Sequence, residues 1–208
     1  MTEAPGDAKT GAAWSWSCSP RRGGNSDAAA QAFAGGAAEA GGAVRFQALR
    51  NLSLLPCQGC QACAAPPHAC PLARQDEAES FFAALLTAPV VCFAAPIYFY
   101  HLPGFFKGLV DRAQRYFALA EAGSPLLAGL SPRPACVILQ AGRPKGEKLF
   151  EGSLLTLKYF LKTFRMTLAE PLLLRGKDGP RDLADDPAAL EAVREYGRQA
   201  GRLAGDRA

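Results

Sequence analysis

No uninterrupted hydrophobic run in the 208 residues approaches the ~18 a spanning helix needs. The chain also lacks a strong charge of either sign. Its 23 Lys and Arg against 19 Asp and Glu leave a net charge of +4, with no dense basic stripe of the kind that neutralises a nucleic-acid backbone. Neither GxxxxGK[ST] nor GxGxxG occurs, which removes the ordinary triphosphate and dinucleotide loops. No internal repeat is present. An export signal is missing too. Arg21-Arg22 invites a twin-arginine reading, but Asn25, Ser26, Asp27, Gln31 and Glu39 follow where an apolar segment is required. These absences leave a cytoplasmic globular protein as the expectation, with no nucleic-acid and no membrane partner.

What is present suits a single α/β domain. Hydrophobic residues make up 49% of the chain and charged ones 20%, enough for a core and too apolar for disorder. Residues 1–11 are small and polar and read as a loose tail; 12–208 read as one domain with a cysteine-rich insertion at 56–72. Short apolar runs at 43–48, 89–95, 134–140 and 166–174 read as strands. So does 12–18, where Trp14 and Trp16 alternate with Ser15 and Ser17 and fall on one face. Helical spacing fills the intervals at 25–41, 78–86, 103–117, 148–164 and 187–204. Asp76 with Glu79 resembles a capping box for the second of these. Strict β-α alternation predicts a doubly wound sheet of five parallel strands with helices on both faces. Ligands of such sheets sit at the carboxyl ends of the strands, so the loops that follow the strands are the place to look.

The first of those loops is Ser19-Pro20-Arg21-Arg22-Gly23-Gly24-Asn25-Ser26. Two glycines allow close backbone approach, and a helix start offers free N–H groups to an anion. Ser19, Arg21, Asn25 and Ser26 add side-chain donors. Read alone, the same residues also make an ordinary polar turn with an N-cap. The loop after the third strand, Pro96-Ile97-Tyr98-Phe99-Tyr100-His101, offers an apolar and aromatic wall; aromatic filler for the core is the plainer alternative. The loop after the fourth, Gln140-Ala141-Gly142-Arg143-Pro144-Lys145, is a weaker feature.

Ser19-Pro20-Arg21 with Gly24-Asn25-Ser26 resembles the phosphate loop of the flavodoxin-like NAD(P)H-dependent FMN reductases. Ala95-Pro96-Ile97-Tyr98 followed by Phe106-Lys107-Gly108-Leu109-Val110-Asp111-Arg112 is similar to a second stretch of that family. Cys18 stands where the family has Gly, and the first strand carries tryptophan where the family is aliphatic. The resemblance implies a flavodoxin-like sheet of order 2-1-3-4-5. It also implies FMN as cofactor and NAD(P)H as donor. Ser19, Arg21, Asn25 and Ser26 would then hold the phosphate, and Pro96, Ile97, Tyr98, Phe99 and Gly142 would contact the flavin. Arg143 and Lys145 would meet a nicotinamide phosphate or remain solvated. Asp111 and Arg112 read as structural, as an ion pair. His101 reads as a solvated loop histidine, with a proton relay near the flavin as the alternative. No side chain is required as acid, base or nucleophile.

Four of the seven cysteines form C-x2-C-x2-C-x6-C-P: Cys57, Cys60, Cys63 and Cys70. Soft thiolates favour zinc or iron–sulfur. Zinc sites usually split their ligands into two distant pairs, whereas three closely spaced thiols and a trailing Cys-Pro look more like a [4Fe–4S] binder. Free thiols or a redox-active disulfide remain the alternative. The spacing is similar to that of the iron–sulfur flavoproteins, a branch of the same flavin family, and implies Cys57, Cys60, Cys63 and Cys70 as cluster ligands. That branch implies a homodimer or homotetramer with a small-molecule or protein redox partner. Without the cluster the expectation is a quinone or nitro reductase; a regulatory module that merely binds FMN or metal is a third possibility. Cys92 and Cys136 read as small buried hydrophobes, and Cys18, bordering the first loop, reads as inert.

Overall fold

A computed structural model describes residues 11–205. Apart from Gly11, the tail reading of residues 1–11 lies outside the described residues, as do residues 206–208. Parallel strands β1 (Ala13–Ser17), β2 (Val44–Ala48), β3 (Val91–Pro96), β4 (Arg133–Ala141), β5 (Met166–Leu168) and β6 (Leu172–Arg175) form one sheet. Its order is β2-β1-β3-β4-β5, with β6 also paired to β4. This is the doubly wound flavodoxin-like arrangement expected from the alternation and the resemblance.

The 166–174 run is not one strand. It breaks at Ala169-Glu170-Pro171, where Pro171 has no N–H to give to a ladder. Its halves still share one edge position: Met166–Leu168 runs beside Arg133–Ala135, and Leu172–Arg175 beside Ile138–Ala141. β3 and β4 are buried on both faces, as befits central parallel strands with near-continuous apolar sequence. β1 divides its faces as its alternation predicts. Trp16 is fully buried and stacks on Trp14 and Phe93, each at 5.3 Å between ring centroids. On the other face Ser15 Oγ donates to Ala30 O at 2.8 Å, and Ser17 Oγ donates to Asp27 Oδ1.

Two cores result. The tryptophan face packs against α2 (Ala78–Thr87), α3 (Gly104–Arg112), α4 (Gln114–Glu121) and α6 (Glu151–Thr163), with α5 (Pro125–Ala128) at the margin. The serine face packs against α1 (Asn25–Glu39) and α7 (Pro187–Gly205), where alanine and glycine let two helices approach closely. The predicted helix at 103–117 is divided at Ala113, whose N–H bonds back to Val110 O. The break lets Arg112 point inward while Tyr116 packs on Phe82 and Phe164. The predicted capping box is not formed. Glu77 occupies the cap position of α2, and Glu79 pairs instead with Arg115 and accepts from Tyr116 Oη. The 56–72 insertion carries 3-10 turns at Ala62–Ala64 and Pro71–Arg74; another, Leu49–Asn51, precedes it.

Candidate functional site

The loop between β1 and α1 turns at Gly23, whose φ of +64° suits glycine. Gly23 N–H donates to Asp27 Oδ2 at 2.7 Å. Asp27 places a carboxylate in the first turn of α1. Arg50 neutralises it with two 2.8 Å hydrogen bonds, and both side chains are nearly buried. Burial pushes the Asp27 carboxyl up, but the hydrogen bonds from Arg50, Ser17 and the Gly23 N–H outweigh it and hold its pKa below the usual carboxylate range. No side chain caps α1 at Gly24, so its first N–H groups remain available.

Ser19, Arg21, Asn25 and Ser26 converge on one cavity of about 140 Å³. Pro96, Ile97, Tyr98 and Gly142 line the same cavity from the β3 and β4 loops. Phe99 does not. It stands fully exposed beside an adjoining cavity of about 530 Å³, which Ile97 and Gly142 share. Within the first cavity the donors differ in freedom. Arg21 is exposed. Ser26 Oγ donates to Gln140 Oε1 at 2.7 Å. Asn25 is committed: its Nδ2 donates to Lys177 O and Gly179 O, and its Oδ1 accepts from Leu183 N–H. Its side chain therefore ties the loop to the segment after β6.

Tyr98 and His101 exchange backbone hydrogen bonds across Phe99 and Tyr100, whose φ values are +48° and +64°. Two bulky residues in the left-handed region are a strained pair for a two-residue turn. His101 is not a solvated side chain: its Nδ1 accepts from Leu102 N–H, and its Nε2 meets Thr156 Oγ1 at 3.1 Å.

Several lining residues escaped the sequence reading. Gln140 is 2% exposed, and its Nε2 is buried without a partner. Lys177 and Asp178 reach the cavity from a loop some 150 residues downstream of the β1–α1 loop. A Cβ on Gly142 would lie 2.6 Å from Asp178 Oδ1, so a larger residue there would have to push that exposed carboxylate aside. Tyr100 Oη accepts from Arg143 Nη1 at 3.4 Å.

Cys57, Cys60, Cys63 and Cys70 line a second, smaller cavity together with Arg112 and Arg115. All four are free thiols. Burial raises the Cys63 pKa, and the other three thiols are near enough to raise it further. Among the described residues, no group of three or more His, Cys, Asp or Glu is placed to hold a metal ion. A cavity of about 810 Å³ adjoins this loop, between Cys57, Cys63 and His68 on one side and Phe117 and Ala118 of α4 on the other. The expected ion pair between neighbours Asp111 and Arg112 does not form. Asp111 pairs with Lys107, and Arg112 with Asp76 across 36 residues. Cys18, Cys92 and Cys136 are buried; burial pushes the Cys136 thiol up to about 11 and the other two well above their ordinary value.

Residues 17–198 match the family described as flavodoxin-like fold. No curated protein matches the chain. Among solved structures it is similar to a flavone reductase, with 16% identity and a TM-score of 0.69 over 94% of this chain and 64% of that one. It is also similar to an azoreductase from Bacillus anthracis str. Sterne (16%, 0.61, 92% of this chain and 98% of that one). A third is an NAD(P)H:quinone oxidoreductase from Methanothermobacter marburgensis (18%, 0.59, 93% and 98%). At these identities the likeness concerns the fold, and the chain spans 64% of the flavone reductase's length.

Proposed function

The chain belongs to the flavodoxin-like fold family, and from that premise we propose that it is an FMN-dependent NAD(P)H oxidoreductase. The observation that carries the flavin reading is convergence: donors from the β1 loop and apolar residues from the β3 loop line one cavity at the carboxyl ends of the strands. The cavity fits the cofactor in three further respects. The start of α1 is uncapped, the Gln140 amide nitrogen lacks an acceptor, and Arg50 cancels the one carboxylate in the helix's first turn.

Bound FMN supplies the redox chemistry, taking two electrons from a nicotinamide donor and releasing them singly or in pairs. The protein's own residues bind and orient. Ser19, Arg21, Ser26 and the first N–H groups of α1 hold the phosphate, and Asn25 fixes the loop that presents them. Pro96, Ile97 and Tyr98 wall the flavin, and Gly142 gives its backbone close access. Phe99, Tyr100 and Arg143 face the neighbouring cavity, where the nicotinamide donor or the acceptor enters. Lys145 lies on the same loop. No residue acts as acid or base.

Cys57, Cys60, Cys63 and Cys70 are the soft donor type a [4Fe–4S] cluster needs, but the cavity they line is only about 30 Å³, and among the described residues no group is placed to hold a metal ion. The four thiols as arranged do not fit a cluster, and the cluster-free reductase is the reading this favours. Oligomerisation belongs to the same proposal. Phe117 and Tyr159 are exposed around one shallow cavity, the kind of surface a second copy would cover, and light scattering would report the mass.

Anaerobic purification decides among these. The proposal expects yellow protein with flavin absorbance near ~450 nm and steady NAD(P)H oxidation; a broad iron–sulfur shoulder with about four irons and four sulfides per chain would select the cluster-bearing electron carrier. Flavin bands without iron after reconstitution select the cluster-free reductase. Colourless protein that takes up no FMN overturns the proposal.

A further inference from the structure

Gln140 stands one residue before the end of β4, after the unbroken apolar run 135–139, and is buried. A buried amide is costly unless both of its ends are bonded. The oxygen is: Ser26 Oγ donates to Oε1 at 2.7 Å. The nitrogen is not, for Nε2 is buried without a partner. Of the side-chain nitrogens and oxygens in that condition among the described residues, Gln140 Nε2 alone belongs to a residue lining the cavity between the β1–α1 loop and the β3 loop. Asn25, the other carboxamide of that cavity, has both ends spent on Lys177 O, Gly179 O and Leu183 N–H. Gln140 is thus the carboxamide with a donor to spare.

Its place in the cavity says which part of a ligand it meets. The backbone O of Gln140 accepts from Ile97 N–H at 2.8 Å, on the wall formed by Pro96, Ile97 and Tyr98. Its side chain reaches the other way, to Ser26 in the first turn of α1. The amide therefore lies between the anion end of the cavity and its apolar wall. We propose that Gln140 recognises the middle of the flavin, its Nε2 donating to a hydroxyl of the ribityl chain. This rests on the FMN reading above. FMN joins an anionic phosphate to a flat ring through that hydroxylated chain. The β1–α1 loop suits the phosphate and the β3 wall suits the ring. A neutral N–H donor between them suits a hydroxyl, which offers lone pairs and carries no charge to balance. The donor is already buried, so the bond costs no further desolvation on the protein's side.

The test compares three flavins on flavin-free protein by fluorescence titration: FMN, riboflavin, which lacks the phosphate, and lumiflavin, which lacks the whole chain. Wild type is expected to bind riboflavin at least about tenfold more tightly than lumiflavin. Q140M and Q140L keep the bulk and lose the donor. They are expected to weaken FMN and riboflavin about tenfold and to leave lumiflavin within about twofold of wild type. A loss confined to FMN would assign the amide to the phosphate, and an equal loss for all three flavins would make Gln140 a structural residue. Either result overturns the inference and leaves the flavin reading standing, as does riboflavin bound as tightly as by wild type. Thermal melts of the flavin-free variants identify those that fold. Should neither fold, the wild-type comparison decides alone, and equal affinity for riboflavin and lumiflavin overturns the inference. Wild-type protein that binds none of the three overturns both.

Discussion

Gly36 of α1 and Gly197 of α7 face each other's backbones at a distance that admits no side chain. A Cβ on Gly36 would lie 1.9 Å from Arg194 O and 2.8 Å from Arg194 C; one on Gly197 would lie 2.1 Å from Phe33 O. These obstacles are main-chain atoms inside helices and cannot rotate away. Gly36→Ala must therefore separate α1 from α7 by more than an ångström. A gap of 0.5–1 Å already forfeits a quarter to a half of each dispersion contact, and Phe33, Val193 and Ala200 lie in that seam. Overpacking typically costs about 1–3 kcal/mol, and rigid backbone places this case at or beyond the top of that range. Alanine returns about 1 kcal/mol of helix propensity. The net expectation is a loss of about 2 kcal/mol or more, or about 4–8 °C in Tm for a chain of this size. Gly35, one residue earlier, has no atom within 4 Å of where its Cβ would stand. Gly35→Ala should raise stability by about 0.4–1 kcal/mol. Thermal and urea melts of both variants give the answer. A G36A melt equal to wild type, or a G35A loss as large as that of G36A, would refute the packing argument.

Ser26→Ala removes the donor to Gln140 Oε1 and a phosphate ligand, so FMN retention should fall roughly tenfold for a hydrogen bond of about 1.4 kcal/mol. Unchanged flavin fluorescence after dialysis would count against the cradle. Asp178→Asn removes a carboxylate that lines both halves of the cleft; FMN should bind several-fold more tightly by fluorescence titration, and weaker binding would mean that Asp178 is a ligand. Because Asp27 is held below its ordinary pKa, its contribution is present above the unfolded value of ~3.9 and is lost as pH falls through the folded value. Urea midpoints should thus hold down to about pH 5 on this account and drop below about pH 4. Asp27→Asn, which leaves Arg50 nearly buried without its partner, should cost about 3–5 kcal/mol at neutral pH and flatten that acid limb; a limb as steep as wild type would assign it to other carboxylates.

Strand and helix alternation was legible because each central strand is a short apolar run bounded by polar or glycine-containing turns, and such a run settles its own conformation. The β1–α1 loop was legible for the same reason: its glycines, hydroxyls and helix start lie within eight consecutive residues. What escaped is contact at a distance. Asn25 finds its partners more than 150 residues away, and Asp178 enters the cleft from beyond the last strand. Arg112 looked like half of a pair with its neighbour Asp111, yet the inward turn at Ala113 sends it to Asp76. Phe99 and Tyr100 adopt left-handed φ without glycine, so composition carried no sign of the turn they make. These unforeseen contacts brace the loops the sequence did identify. Arg50, in the turn just before the cysteine loop, bonds both Asp27 and Ser19 O of the β1–α1 loop. Arg112 and Asp76 close the far end of the cysteine loop. The two candidate redox sites thus hang from one buried frame of arginine and aspartate. A charge removed at Asp27 disturbs the entry of the cysteine loop as well as the β1–α1 loop, and one removed at Asp76 frees both of its ends.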